Sequence, residues 1–477
     1  MKKTILCILS SLPLTAVADV TLPKVITSNM VLQRDAPITI WGWADVGEKV
    51  TVTLGPLSDP TTATAETDVE GNWKVTLPKR GLGEALSLTV EGRNKISLNN
   101  ILMGDVWLCS GQSNMEWGIS RSENPKEAIA AANHPNIRLF DVGKVASKTP
   151  LKDIAKGSGW KVCTPESMAK TGTSGGFSAV AYYFGKYLQE EMKDVPIGLL
   201  DSSWGGSKIE PWTTAAGWAS VPQLADEYNR IKGIDPKKVK TNNQSKSAAL
   251  YNGMVHGLSP LQIKGTLWYQ GESNRAEGPH YHYRKLALVN GWRKIWGEDM
   301  PFYFVQLAPF GYPKDKNPEI LPIFWQAQQR SAEEIPNTGM AVTIDVGNPK
   351  NIHPLQKAQV GKRLALLALK HTYDKGVLAD SPTYLSHEIK SGKVTVKFQN
   401  TGGGLVASDG NVLRGFELAG ADGQFVPATE VSISADSVIL SNPKLPAPTK
   451  VRYAWSNTPN VNLASKEGLP VPAFQSK

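Results

Sequence analysis

GDVWLCSGQSNMEW, residues 104–117, starts as an apolar strand and breaks off into small polar residues. Val106, Trp107 and Leu108 have the composition of a buried strand end. Ser110 to Asn114 then turn, and Gly111 supplies backbone freedom that a larger side chain lacks. A serine where a strand hands over to a helix can be held exposed above a sheet edge, as a nucleophile must be. Taken alone, the segment equally describes an ordinary strand-to-helix turn with a capping serine. The rest of the chain has to decide.

From Gly104 to about Tyr373 short apolar runs recur. They are Val195–Leu200, Ile263–Gln270, Pro301–Gln306 and Met340–Asp345, with helical patterns such as AVAYYFGKYLQEEM and YRKLALVNGWRKIWG between them. Near-continuous apolar strands separated by helices predict an α/β fold, a parallel sheet covered on both faces. Ligands of such sheets bind beyond the carboxyl ends of the strands. Four polar blocks fall there: Ser113; Asp201-Ser-Ser-Trp-Gly-Gly-Ser207; Trp268-Tyr-Gln-Gly-Glu-Ser-Asn274; and Asp345-Val-Gly-Asn348 with Asn351-Ile-His-Pro354. Their coincidence at one edge favours the nucleophile over the capping serine.

The flanks differ. Residues 19–103 alternate apolar and polar positions between turns, which predicts an N-terminal β-sandwich, and residues 374–477 return to β patterning. Trp41, Trp43 and Trp73 in the first flank could be sugar platforms, although core packing is the commoner role of such residues. Residues 1–18, with Lys2 and Lys3 before an apolar stretch and Ala16-Val-Ala18 at its end, have the pattern of a secretory signal peptide. An exported protein, periplasmic or extracellular, is expected. The formal charge of +9 falls to +7 when the two leader lysines go. That excess forms no basic block, so nucleic acid is not an expected partner, and no run long enough for a membrane span follows the leader. Without Cys7 the mature chain has Cys109 and Cys163. In an oxidising compartment these two are expected to form one disulfide.

Ester cleavage gives the four blocks their roles. A serine hydroxyl needs a base to take its proton, and His353 is the candidate, with an ordinary imidazole titration at about 6–7. The oxyanion of the tetrahedral intermediate needs hydrogen-bond donors, for which Ser113 N–H, Gly205 or Gly206 N–H and the Gln270 amide are candidates. A carboxylate should orient the imidazole. Asp345, at a predicted strand end eight residues before His353, is one candidate. Trp117, Trp204, Trp212 and Asn274 flank the blocks as candidate substrate contacts, alongside Trp268 and Tyr269. His256, His280 and His282 show no metal-ligand spacing, and no metal site is expected.

SGQSNMEW, DSSWGGSKIEPW, WYQGESN and IHPLQKAQVGKRLAL resemble the blocks of the sialate O-acetylesterases, SGNH-type carbohydrate esterases related to acetylxylan esterases. The flanks NMVLQRDAPITIWGWA and VRYAWSNTPNVNLASKEGLPVPAF agree, so the resemblance covers nearly all of the mature chain. It implies a flavodoxin-like SGNH hydrolase core over residues 104–373, Ser113 as nucleophile and His353 as base. It also implies removal of acetyl groups from the hydroxyls of an O-acetylated glycan, without metal or cofactor. One position departs from the pattern: many SGNH hydrolases carry the acid three residues before the histidine, and Lys350 stands there. The resemblance to related acetylesterases makes Glu272 of the Gln-Gly-Glu element a candidate acid beside Asp345, and a Ser113–His353 dyad supported by a backbone carbonyl is the third arrangement. The rival reading, a glycan-binding protein with a decayed core, requires damage at the nucleophile or base. Ser113, Gly205, Gly206, Gln270 and His353 are all intact.

Overall fold

The computed structural model describes residues 19–56, 58–232, 247–314 and 316–476. The expected leader and its Cys7 lie outside the described residues. Six strands open the chain: β1 Val31–Gln33, β2 Ile38–Trp43, β3 Lys49–Gly55, β4 Thr61–Glu66, β5 Asn72–Leu77 and β6 Leu86–Glu91. β2 pairs with β5 antiparallel, while β3 sits between β4 and β6. The next strand, β7, runs unbroken from Lys95 to Gly111. Its first half pairs antiparallel with β6, and its second half is the centre of a parallel sheet. The boundary read between residues 103 and 104 therefore falls inside one continuous strand. At that junction Asp105 is fully buried and takes hydrogen bonds from Arg34, Gln33 and Tyr373, which compensate its desolvation and tie the flank to the core.

The remaining core strands are β8 His134–Asp141, β9 Lys161–Cys163, β10 Ile197–Ser203, β11 Gly265–Tyr269, β12 Phe302–Val305 and β13 Thr338–Ala341. They lie in the order β13-β12-β11-β7-β10-β8-β9, all parallel except β9. Every residue of β10, β11 and β12 is buried, so both sheet faces are covered. Helices α1 Ser113–Glu116, α2 Ala179–Met192, α3 Tyr281–Trp296, α4 Ile320–Glu334 and α5 Lys357–His371 follow in sequence. α2 packs on α5 and α3 on α4. Beyond Tyr373 the chain forms small antiparallel sheets that anchor on α4, where Arg452 meets Glu319 at 3.0 Å and Asn457 accepts from Leu321 N–H.

Two expectations are corrected here. The run Met340–Asp345 contributes strand only as far as Ala341, so Asp345 lies in the following loop rather than at a strand end. Cys109 and Cys163 are free buried thiols. β10 and β8 stand between their strands, which puts them at least about 14 Å apart at ordinary strand spacing, and the register sets Cys163 opposite His134 but Cys109 level with Asp141 at the other end of β8. A disulfide needs Cα atoms within roughly 4–7 Å. Burial pushes the Cys163 thiol up to about 12 and Cys109 well above its ordinary value, so both stay protonated.

Candidate active site

The register of the central strands places the predicted blocks. Gly111 pairs with Ser203 of β10 and with Tyr269 of β11, so three chains leave the sheet at one level. Gln112 N–H donates to Tyr269 O (2.9 Å) and Trp204 N–H to Gly111 O (3.0 Å), holding the three exits together. Gly111 has φ +141°, and a Cβ there would stand 2.2 Å from Tyr269 O. Only glycine fits that turn. Ser110, the alternative hydroxyl, is buried in the sheet and donates to Ser202 O at 2.6 Å. The half-buried Ser113 is the serine that emerges.

His353 arrives from the loop after β13, and its Nε2 lies 2.9 Å from Ser113 Oγ. Since Nε2 must accept here for the hydroxyl to donate, the ring proton belongs on Nδ1. Trp117 stacks on the ring (centroids 4.1 Å apart, planes 17°), and the His353 backbone N–H donates to Asn351 Oδ1 at 3.0 Å, which fixes the loop that carries it. Burial lowers the imidazole to about 4, with Lys357 and Arg121 acting in the same direction and Glu116 against them. The titration at 6–7 expected for an ordinary imidazole is therefore replaced by one well below it. At neutral pH the ring is a free base facing a hydroxyl.

Neither candidate acid touches that ring. Asp345 is clamped by Arg363 through two hydrogen bonds of 2.7 and 2.6 Å, a bidentate pair that uses both carboxylate oxygens. Changing Asp345 to Asn is expected to lower stability by about 1–3 kcal/mol and to leave kcat/KM within a few-fold of wild type. Chemical unfolding and initial rates on a small ester would measure the two effects. Glu272 Oε1 takes a hydrogen bond from Asn114 Nδ2 (2.5 Å), and its Oε2 has no protein partner. Burial raises the Glu272 carboxyl, while Lys357 opposes the shift. What the structure presents at Ser113 is the Ser113–His353 pair alone.

The donor set changes as well. Gly205 packs against the serine, since a Cβ there would lie 3.2 Å from Ser113 Cβ, but its N–H donates to Glu116 Oε2 at 2.6 Å. Gln270 is fully buried. Its amide donates to Asn274 Oδ1 (2.7 Å) and Ser207 O (3.1 Å), while its Oε1 accepts from Tyr281 (2.8 Å). Neither group has a hydrogen left for an oxyanion. The N–H groups of Ser113 and Gly206 are taken by no acceptor among the described residues, and Gly206 is exposed with φ +74°. Gln270→Ala should therefore cost stability, about 1–3 kcal/mol for the stranded partners, rather than act on kcat alone. A kcat loss in a variant that melts like wild type would return Gln270 to the donor set.

Among the flanking residues, Asn274 spends its amide on Gln270, Ile209 N–H, Glu210 and Glu277. Trp212 is fully buried and packs edge-on against Trp268, and Tyr269 is also inaccessible. These are core groups and not substrate contacts. Trp117 and Trp204 remain partly exposed.

A model of the family described as carbohydrate esterase, sialic acid-specific acetylesterase, matches residues 103–370. The chain belongs to this family. It is accordingly a hydrolase of the carbohydrate O-acetylesterase class. The mouse sialate O-acetylesterase is 29% identical over 485 residues, covering 91% of this chain and 89% of the relative. The human enzyme of that name is 29% identical over 472 residues, with 91% and 87% covered. A solved structure of a carbohydrate acetylesterase from Xanthomonas citri is 36% identical and superposes with a TM-score of 0.85 over 96% of this chain and all of its own.

In this esterase three further charged residues bear on the Ser113–His353 pair. Glu116, three residues after Ser113, holds the Gly205 loop and is itself paired with Lys144. Lys357 donates to Asn114 Oδ1 at 2.6 Å, and its complete burial lowers it to about 7. Asn114 in turn donates to Ile352 O (3.1 Å), which joins the serine turn to the histidine loop. Arg121 lies over the Trp117 ring at 5.4 Å. Glu116 and Lys357 sit inside the quoted blocks SGQSNMEW and IHPLQKAQVGKRLAL, but neither residue type by itself signals a role there, and Arg121 lies outside every block and reads as an ordinary surface charge.

Proposed function

We propose that the protein is an exported serine esterase in which a Ser113–His353 dyad removes acetyl groups from sugar hydroxyls. The observation that carries the reading is the 2.9 Å contact between Ser113 Oγ and a desolvated imidazole. Ser113 Oγ attacks the acetyl carbonyl as His353 Nε2 takes its proton. The N–H groups of Ser113 and Gly206 face the oxyanion of the tetrahedral intermediate. Collapse passes the proton from Nε2 to the departing sugar oxygen and leaves an acetyl group on Ser113. Water, deprotonated by the same nitrogen, then releases acetate and restores the serine. Trp117 keeps the ring aligned through both steps.

The substrate is an O-acetylated glycan. The family description and the mammalian relatives support O-acetyl esters of sialic acid, while the bacterial structural neighbour, named only as a carbohydrate acetylesterase, leaves other acetylated sugars such as xylan as the second substrate class to test. Export rests on the leader pattern of residues 1–18; among the described residues no helix is long and apolar enough to cross a membrane. Acetate release from O-acetylated sialic acid, acetylated xylan and acetylated pectin, measured side by side, tests the function. The expected outcome is turnover of at least one of these with a Ser113-dependent rate. No acetate release from any of them would reject the reading.

A further inference from the structure

α5 begins with a lysine that ordinary stability does not favour. Lys357 is its first residue and is fully buried. The N-terminus of a helix carries partial positive charge, so an ammonium there is repelled. Burial also strips its water, and among the described residues its one hydrogen-bond acceptor is Asn114 Oδ1, at 2.6 Å. Glu272, the carboxyl that opposes its desolvation, makes no ion pair with it, because Asn114 stands between the two. A buried charge held in this way adds little to stability, and an apolar side chain of similar volume often serves a core as well or better.

Its one contact leads to the reacting pair. An ammonium only donates, so Lys357 fixes the Asn114 amide with Oδ1 towards α5. Nδ2 then turns both of its hydrogens the other way, one to Glu272 Oε1 (2.5 Å) and one to Ile352 O (3.1 Å). With the amide reversed, its oxygen would face the Ile352 carbonyl, and the joint would repel. Asn114 follows Ser113 in the chain, and Ile352 precedes His353. The contact therefore spans the two residues that flank Ser113 Oγ and His353 Nε2, themselves 2.9 Å apart.

We propose that Lys357 is a positioning residue of the esterase, which orients Asn114 so that its amide clamps the His353 loop against the serine turn. The proposal rests on the Ser113–His353 reading. A displacement of about 1 Å at a reacting pair can cost about 10²-fold in rate, so loss of the clamp should fall on kcat and spare KM. The charge of Lys357 leaves a second mark. Besides burial, Lys357 and Arg121 act against a proton on the His353 ring and Glu116 acts for it. Lys357 itself, opposed only by Glu272, gives up its proton near pH 7, so it is charged throughout the range in which the ring titrates. Without that ammonium the ring should take its proton at a higher pH.

The test compares Lys357→Met, Asn114→Ala and the double variant with wild type on 4-nitrophenyl acetate, as pH profiles, with rates counted per serine titrated by diethyl 4-nitrophenyl phosphate. Each single variant should lose about 10–10²-fold in kcat, with KM within about twofold. In Lys357→Met the midpoint of kcat/KM should move up from about 4 towards about 5. Both substitutions cut one clamp, so the double variant should lose no more than about threefold beyond Lys357→Met. A lysine with a merely structural role would lower the melting temperature and leave kcat per active site and the midpoint alone. The proposal is overturned by a Lys357→Met enzyme whose kcat stays within about threefold of wild type, by a midpoint that stays near 4, or by a double variant that loses the product of the two single factors. If Lys357→Met does not fold, Asn114→Ala decides by itself: the same kcat loss supports the clamp, and a kcat within about threefold overturns it. A wild type whose turnover survives Ser113→Ala would instead remove the underlying reading, and this proposal with it.

Discussion

Replacing Ser113 with alanine is expected to lower kcat/KM by about 10³-fold or more, with a melting temperature close to wild type. The size follows from the geometry. Among the described residues Ser113 Oγ is the only hydroxyl at His353 Nε2, and the neighbouring Ser110 is occupied inside the sheet. Without Oγ no acetyl intermediate can form, and what remains is water attack beside the N–H groups of Ser113 and Gly206. Folding should barely notice, because Ser113 is half-buried and the turn is held by backbone bonds from Gln112 and Trp204. Initial rates on 4-nitrophenyl acetate and a thermal melt suffice. If Ser110→Ala lost the activity and Ser113→Ala kept it, the nucleophile would be misassigned.

What could be read before the structure depended on whether the relevant physics was local. The apolar run at Val106–Leu108 and the helix Ala179–Met192 carry their own periodicity, and both stand where the pattern put them. The convergence of Ser113 and His353 was legible because a parallel sheet sends all its strand ends to one edge. Orientation was not legible. Gln270 and Asn274 are the residue types that donate to substrates, yet Gln270 spends its hydrogens on Asn274 Oδ1 and Ser207 O, and Asn274 spends its own on Glu210 and Glu277. Asp345 met its partner Arg363 only through packing of α5 against the loop after β13, 18 residues on. The cysteine count permitted one bridge, but strand order, which depends on crossovers, placed two strands between the thiols.

His353 combines a large activity effect with a pH signature that tests its surroundings. His353→Ala should remove activity about as completely as Ser113→Ala, since the two act as a unit. In the wild type, kcat/KM for a neutral ester should rise with pH and level off above a midpoint near 4, because the base works only when unprotonated and burial holds it near that value. Stability should respond in the matching direction. An unfolded imidazole takes its proton at about 6.5, whereas the folded ring resists until about 4, so between these values the unfolded chain binds more protons. The contribution of His353 to stability is present above pH 6.5 and is lost as the pH falls towards 4. Carboxylates titrate in part of that window, so the quantity to measure is the difference in unfolding free energy between wild type and His353→Gln across pH 4–7. A midpoint near 6.5 in the activity profile would mean that the ring is solvated or meets a carboxylate during turnover, and the dyad would give way to a triad. A midpoint near 4, lost in His353→Gln together with the pH-dependent stability difference, is the outcome that a desolvated Ser113–His353 pair requires.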